Sequence, residues 1–174
     1  MKAQYSLDKS VGPWPSAASS KTDFDFLVGT WSVKNRRLRE RLAGSDQWDE
    51  FDAVLEMTKT LLGIGNFETF TAEIDGTPFA GEAVRLFDPT TRLWSIYWAD
   101  SNFGKLDASP VVGSYEGSIG KFYARDTFGD KDIIVLYQWD KADPAHPIWS
   151  QAFSVDSGET WEWNWYMTLT KVNQ

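Results

Sequence analysis

Cysteine is absent and histidine nearly so: His146 is the single imidazole in 174 residues. A disulfide framework and a Cys/His zinc site are excluded by count, and no metal site is expected. Long apolar runs are also missing. No stretch approaches the roughly 18 consecutive apolar residues of a membrane-spanning helix, so no membrane partner is expected. The opening Met1-Lys2-Ala3-Gln4-Tyr5-Ser6-Leu7-Asp8-Lys9-Ser10 interrupts with charge the apolar run of about 7–15 residues that an export signal needs. The expected location is therefore cytoplasmic. Positive charge is in deficit: 17 Lys and Arg against 25 Asp and Glu leave a net charge of -8 and a pI near 4.6. That balance argues against nucleic acid as a partner.

What the chain has is aromatic rings. They make up 16% of the residues, with ten tryptophans, and aromatics favour strands. The length fits one domain with a proper core. Residues 1–22, with Gly12-Pro13-Trp14-Pro15 and a Ser/Ala run, show neither helical nor strand period and read as an N-terminal arm, with Trp14 free to dock on the domain. Residues 23–174 read as the domain. Phe24 to Leu27 predicts a short turn, and alternating segments follow from Trp31, Trp48, Phe67, Ala80, Leu93, Val111, Gly120, Asp132, Ile148 and Thr160. Turns such as Gly44-Ser45-Asp46, Asp75-Gly76, Asp88-Pro89 and Phe128-Gly129-Asp130 separate many of them. The prediction is all-β: a single antiparallel up-and-down barrel of about ten strands, whose closure removes exposed edges and whose width leaves room for a ligand.

The last segment, Thr160 to Leu169, has the most marked alternation. Strict alternation puts Trp161, Trp163, Trp165, Met167 and Leu169 on one face and Glu162, Asn164, Tyr166 and Thr168 on the other. An aromatic stripe of this kind is either core or the wall of an apolar pocket with a few convergent polar groups. If Glu162 and Asn164 face inward, burial requires partners for them. Arg37 or Arg85 is the expected cation, with bidentate geometry. Gln151 on the preceding strand joins this polar group, and Trp98, Tyr123, Tyr137, Trp139 and Trp165 complete the expected ligand-binding set.

Gly29-Thr30-Trp31 resembles the GxW opening of calycin barrels, the group containing lipocalins and fatty-acid-binding proteins. With Arg36-Arg37-Leu38, Phe87-Asp88-Pro89, Trp94-Ser95-Ile96-Tyr97-Trp98, Gln151-Ala152-Phe153-Ser154 and Thr160 to Trp165, the chain from about residue 24 resembles a family of uncharacterised small bacterial calycin-like proteins. That resemblance implies the barrel but carries no agreed activity. A lipocalin also places a basic residue late in its last strand over the opening tryptophan, and Lys171 is the residue available for it.

The functional expectation is a barrel that binds a small, largely apolar or aromatic molecule, with no cofactor. No GxSxG, P-loop or HExxH spacing is present, so no catalytic residue is assigned. Lyase or isomerase acid/base chemistry, using Asp126 and Glu162 or a tyrosine, is the alternative. A haem reading would require His146 as axial ligand. A third reading is an interaction module in which outward aromatics such as Tyr97 or Tyr166 pair two barrels as a C2 homodimer.

Overall fold

A computed structural model describes residues 11–172; the first ten residues of the expected arm, including the stretch weighed as an export signal, lie outside the described residues. Ten strands form one sheet: β1 (Gly29–Leu38), β2 (Trp48–Thr60), β3 (Gly65–Ile74), β4 (Thr77–Asp88), β5 (Leu93–Asp100), β6 (Val111–Glu116), β7 (Ile119–Phe128), β8 (Lys131–Asp140), β9 (Ile148–Ser154) and β10 (Glu162–Lys171). Each pairs antiparallel with its neighbours in sequence, and β1 pairs with β10 to close the barrel. The predicted architecture is the observed one. Helical structure among the described residues is limited to two 3-10 turns, Asp25–Leu27 and Leu61–Gly63, and no helix is long and apolar enough to cross a membrane.

Because side chains alternate along a strand, one register fixes which residues face the lumen. On β1, Trp31, Val33 and Asn35 are buried while Ser32, Lys34 and Arg36 are exposed. The same alternation sends Leu55 and Met57 of β2, Glu68 and Phe70 of β3, and Ala83 and Arg85 of β4 inward.

One end of the lumen is filled by a segment that is not a strand. The turn Asp25–Leu27 crosses the end of the barrel where β1 starts, and Phe24 packs among Trp94, Tyr115, Phe122 and Trp139, with ring centroids 5.0, 5.3, 5.7 and 6.3 Å away. Phe24, Leu27 and Trp31 are each at most 1% exposed, and full burial of such side chains stabilises by about 1.5–3 kcal/mol each. The Trp31 indole N–H donates to the Leu27 carbonyl at 2.8 Å. Lys171, opposite Trp31 across the β1–β10 pairing, holds its ammonium 5.3 Å from the Trp31 ring. The basic residue expected over the opening tryptophan is there.

The described part of the arm lies against the outer wall. Ser114 of β6 donates to the Trp14 carbonyl and accepts from the Ser16 N–H, and Arg92 donates to the carbonyls of Ala17 and Ser19. The Trp14 ring itself is 58% exposed. Docking thus runs through these backbone bonds and the buried Val11 side chain, not through the indole.

Strand β10 departs from strict alternation. Its register against β9 shifts between Trp163 and Trp165, a β-bulge that inserts an extra residue and re-aims the side chains on either side of it. Trp165, Met167 and Leu169 keep the lumenal face, but Trp163 stacks on Tyr166 outside, with centroids 6.3 Å apart. Trp161 precedes the strand and packs against Tyr123 at 6.3 Å. Asn164 is fully buried. The continuous five-residue aromatic and apolar stripe is therefore corrected to three residues.

Candidate functional site

Towards the end opposite Phe24 the lumen is hollow, with a cavity of about 280 Å³. Its aromatic wall is a chain of edge-on contacts, Tyr137 of β8 against Trp149 of β9 at 5.0 Å and Trp149 against Trp165 of β10 at 5.5 Å, with Phe51 of β2 tilted behind Trp165 at 6.4 Å. Phe70, Phe79 and Trp98 line the facing side, and Met167 joins Trp165 from β10. Gly81 of β4 makes room for Trp98: a Cβ there would lie 2.2 Å from the indole, so the ring occupies space that any side chain would take.

Deep in the cavity, Arg85 donates to Glu68 at 2.5 Å and to Asn66 at 3.1 Å, with both ends of the ion pair at most 4% exposed. The guanidinium lies 5.0 Å from the Phe24 ring and 5.8 Å from that of Trp139. This corrects the expected partnership: Arg85 pairs with Glu68, not with Glu162. Its Nε is buried without an acceptor.

Glu162 has a different task. Both its oxygens accept the Leu42 backbone N–H at 2.9 Å, while Lys131 donates to the Leu42 carbonyl at 3.1 Å. The β1–β2 loop is thereby pinned across the rim, and it carries Arg41 over the rings of Phe128 and Phe153 at 4.8 and 5.8 Å. Asn164 links this latch to the wall, accepting from Gln151 at 2.9 Å and donating to Glu162 at 3.4 Å. The β10 bulge is what allows Glu162, Asn164 and Trp165 to work together despite their spacing.

Both signs of charge meet at the rim. Arg37, Arg41 and Asp100 line the cavity. Asp107 and Asp126 line an adjoining lobe of about 90 Å³ that shares Trp98, Tyr137 and Gln151 with the main cavity and also holds Phe128 and Phe153, the rings under Arg41. Burial, then the like charge of Arg37, lowers the Arg41 pKa below the usual guanidinium range, with Glu162 opposing. Burial, then Asp126 and Asp100, raises that of Asp107. Burial chiefly, with Asp107 and Asp126 adding, drives Tyr137 far above the normal phenol range, so its hydroxyl stays protonated.

Of the ten residues expected from sequence, Arg37, Arg85, Trp98, Tyr137, Trp139, Gln151 and Trp165 line the cavity. Glu162 and Asn164 stand behind it as the latch. Tyr123 is not in the lumen; it pairs with Val112 and Leu136 on the outer face, beneath Trp161. Sequence reasoning missed Arg41, Glu68, Phe79 and Trp149. Arg41 sits in a loop and Glu68 on an ordinary alternating strand, and only the barrel's closure brings them to the site. His146 is exposed in the β8–β9 loop beside Asp143 at 3.0 Å, at the plugged end. It cannot serve as an axial ligand in the cavity. Tyr166 faces outward, 5.8 Å from Trp48, over which Arg36 lies at 4.3 Å, and Tyr97 lies on the outward register of β5.

No family model matches the chain, and no curated protein does. Solved structures do. The S-type phycobiliprotein lyase CPES from Guillardia theta superposes with a TM-score of 0.60 at 12% identity, over 91% of this chain and 95% of that one. Rv2717c from M. tuberculosis follows with a TM-score of 0.55 at 11% identity, over 87% of this chain and 98% of that one. The likeness is one of fold, a closed ten-stranded antiparallel barrel. Identities this low carry the fold and no more.

Proposed function

We propose that this calycin-like barrel binds a small, largely aromatic molecule in the hollow half of its lumen. The observation that carries this reading is the contrast inside a single barrel: one end is packed solid, while the other keeps about 280 Å³ walled by Trp98, Tyr137, Trp149 and Trp165. Ligand sites are concave, mostly apolar and furnished with a few placed polar groups, and this cavity has that composition. Its volume is roughly twice the ~150 Å³ of an apolar cavity that admits one benzene. The molecule it suits therefore has one or two rings and small substituents. The likeness to a phycobiliprotein lyase supports a barrel of this design serving a small molecule.

Native mass spectrometry of protein purified without denaturation tests the reading, followed by identification of whatever is released on unfolding. The expected result is a mass excess from a small aromatic compound. Bare protein in every preparation, together with no calorimetric response to one- and two-ring aromatics, would refute it.

A further inference from the structure

We infer that the ligand is an anion, an aromatic carboxylate whose charged end is received at the rim by Arg37 and Arg41; this rests on the cavity being a ligand site. What marks the two guanidiniums is where they lack a partner: both line the cavity, whereas Arg36 and Lys171, which likewise face only rings, do not. Lys34, Arg39, Lys59 and Arg85 each face a carboxylate within 2.8 Å. Among the described residues Arg37 and Arg41 have neither an ion pair nor a hydrogen bond, only rings.

Those ring contacts are informative. Arg37 lies 5.4 Å from the Phe51 ring and 5.3 Å from that of Trp165, and Arg41 lies over Phe128 and Phe153. A guanidinium laid on aromatic faces has its plane fixed while its N–H donors, which lie in that plane, remain free. Two such groups on one wall repel each other, and Arg41 already bears the cost of partial burial. An anion placed between them relieves both effects, and a carboxylate matches the fork of donors bidentately. Glu162 acts on Arg41 through its charge but makes no ion pair or hydrogen bond with either arginine; it accepts from the Leu42 N–H and from Asn164.

The carboxylates of the rim set direction. Asp100 lines the main cavity and Asp107 and Asp126 the adjoining lobe, and their charge turns an anion away from them and towards the two arginines. The rings then extend between Trp98 and Trp165.

Three probes of one shape separate this inference from the reading beneath it: 2-naphthoate, 2-naphthamide and 2-naphthylmethylamine, titrated by calorimetry. The expected order is carboxylate, amide, amine, with the carboxylate at least about tenfold tighter than the amide. That factor corresponds to about 1.4 kcal/mol, within the range for a hydrogen bond to a charged group. In Arg37→Gln and Arg41→Gln the preference shrinks to less than about threefold while amide affinity holds, which also reports an intact cavity. Arg41→Lys retains part of it. An amide that binds the natural protein as tightly as the carboxylate overturns the anion and leaves the aromatic cavity standing. A preference that survives both Gln variants overturns the assignment to these residues. No binding by any of the three overturns both readings.

Discussion

The two halves of the lumen are built from the same kinds of side chain, yet one is full and the other hollow. At the plugged end Phe24 enters from outside the sheet and meets Trp94, Tyr115, Phe122 and Trp139. At the other end the β1–β2 loop reaches only the rim, where Arg41 rests on Phe128 and Phe153. Ring content does not separate a core from a pocket here. What separates them is whether a segment outside the barrel supplies the side chain that fills the middle. The charges differ in the same way: the deep guanidinium of Arg85 is paired with Glu68, whereas those at the rim lie on rings with no ion pair.

The largest effect expected on this contrast comes from removing the plug. Phe24→Ala costs about 3–5 kcal/mol, the usual range for a buried phenylalanine, read as a lower midpoint in chemical denaturation. A loss below about 1 kcal/mol would show that the plugged end is not core. Gly81→Ala is next. It drives the Trp98 indole into the cavity and costs about 1–3 kcal/mol through overpacking, but abolishes binding of 2-naphthamide in calorimetry. Undiminished binding in that variant would place the ligand elsewhere.

A smaller effect belongs to the latch. Glu162→Gln weakens the charge-assisted bonds to Leu42 by about 1 kcal/mol, and the Leu42 amide exchanges its proton faster while the Leu55 amide does not. Equal exchange at both positions would mean that the rim loop is not held by Glu162. The smallest is Asp107→Asn. Because folding raises the Asp107 pKa, the folded state binds its proton more tightly, and stability declines as pH rises from the ordinary carboxylate range through the raised value. The variant should melt slightly higher than the natural protein at pH 7. That difference should disappear below the ordinary aspartate range, where both forms are neutral; a gain that persists in acid would point to packing instead of charge.

Much of the architecture was legible because short turns separate alternating segments, and a meander of that kind has one simple way of closing. The inward face of β1 could be read from Trp31 and Val33, since strict alternation holds there. It failed on β10, where the register shift between Trp163 and Trp165 leaves no mark in the apolar pattern. Asn164 within an aromatic run was the one hint, a polar residue that would be costly to bury without a partner. Tyr123 and Trp161 were misplaced for a related reason. Wide barrels have outer surfaces that also carry apolar side chains, and here the arm and the β9–β10 loop cover them, with Val11 at 6% exposure and Leu136 at 4%. Arg41 and Glu68 reach the site only through contacts between segments far apart in sequence, which no local period encodes.

The pairing of β1 with β10 joins residues as distant as Trp31 and Lys171, whereas every other pairing is between consecutive strands. On a growing polypeptide, synthesised at about 5–20 residues per second, β1 and β9 therefore remain sticky borders until the final strand has emerged. Lys34 and Arg36 point outward along the first of these, a placement of charge that discourages a neighbouring nascent chain from completing the ring in its place.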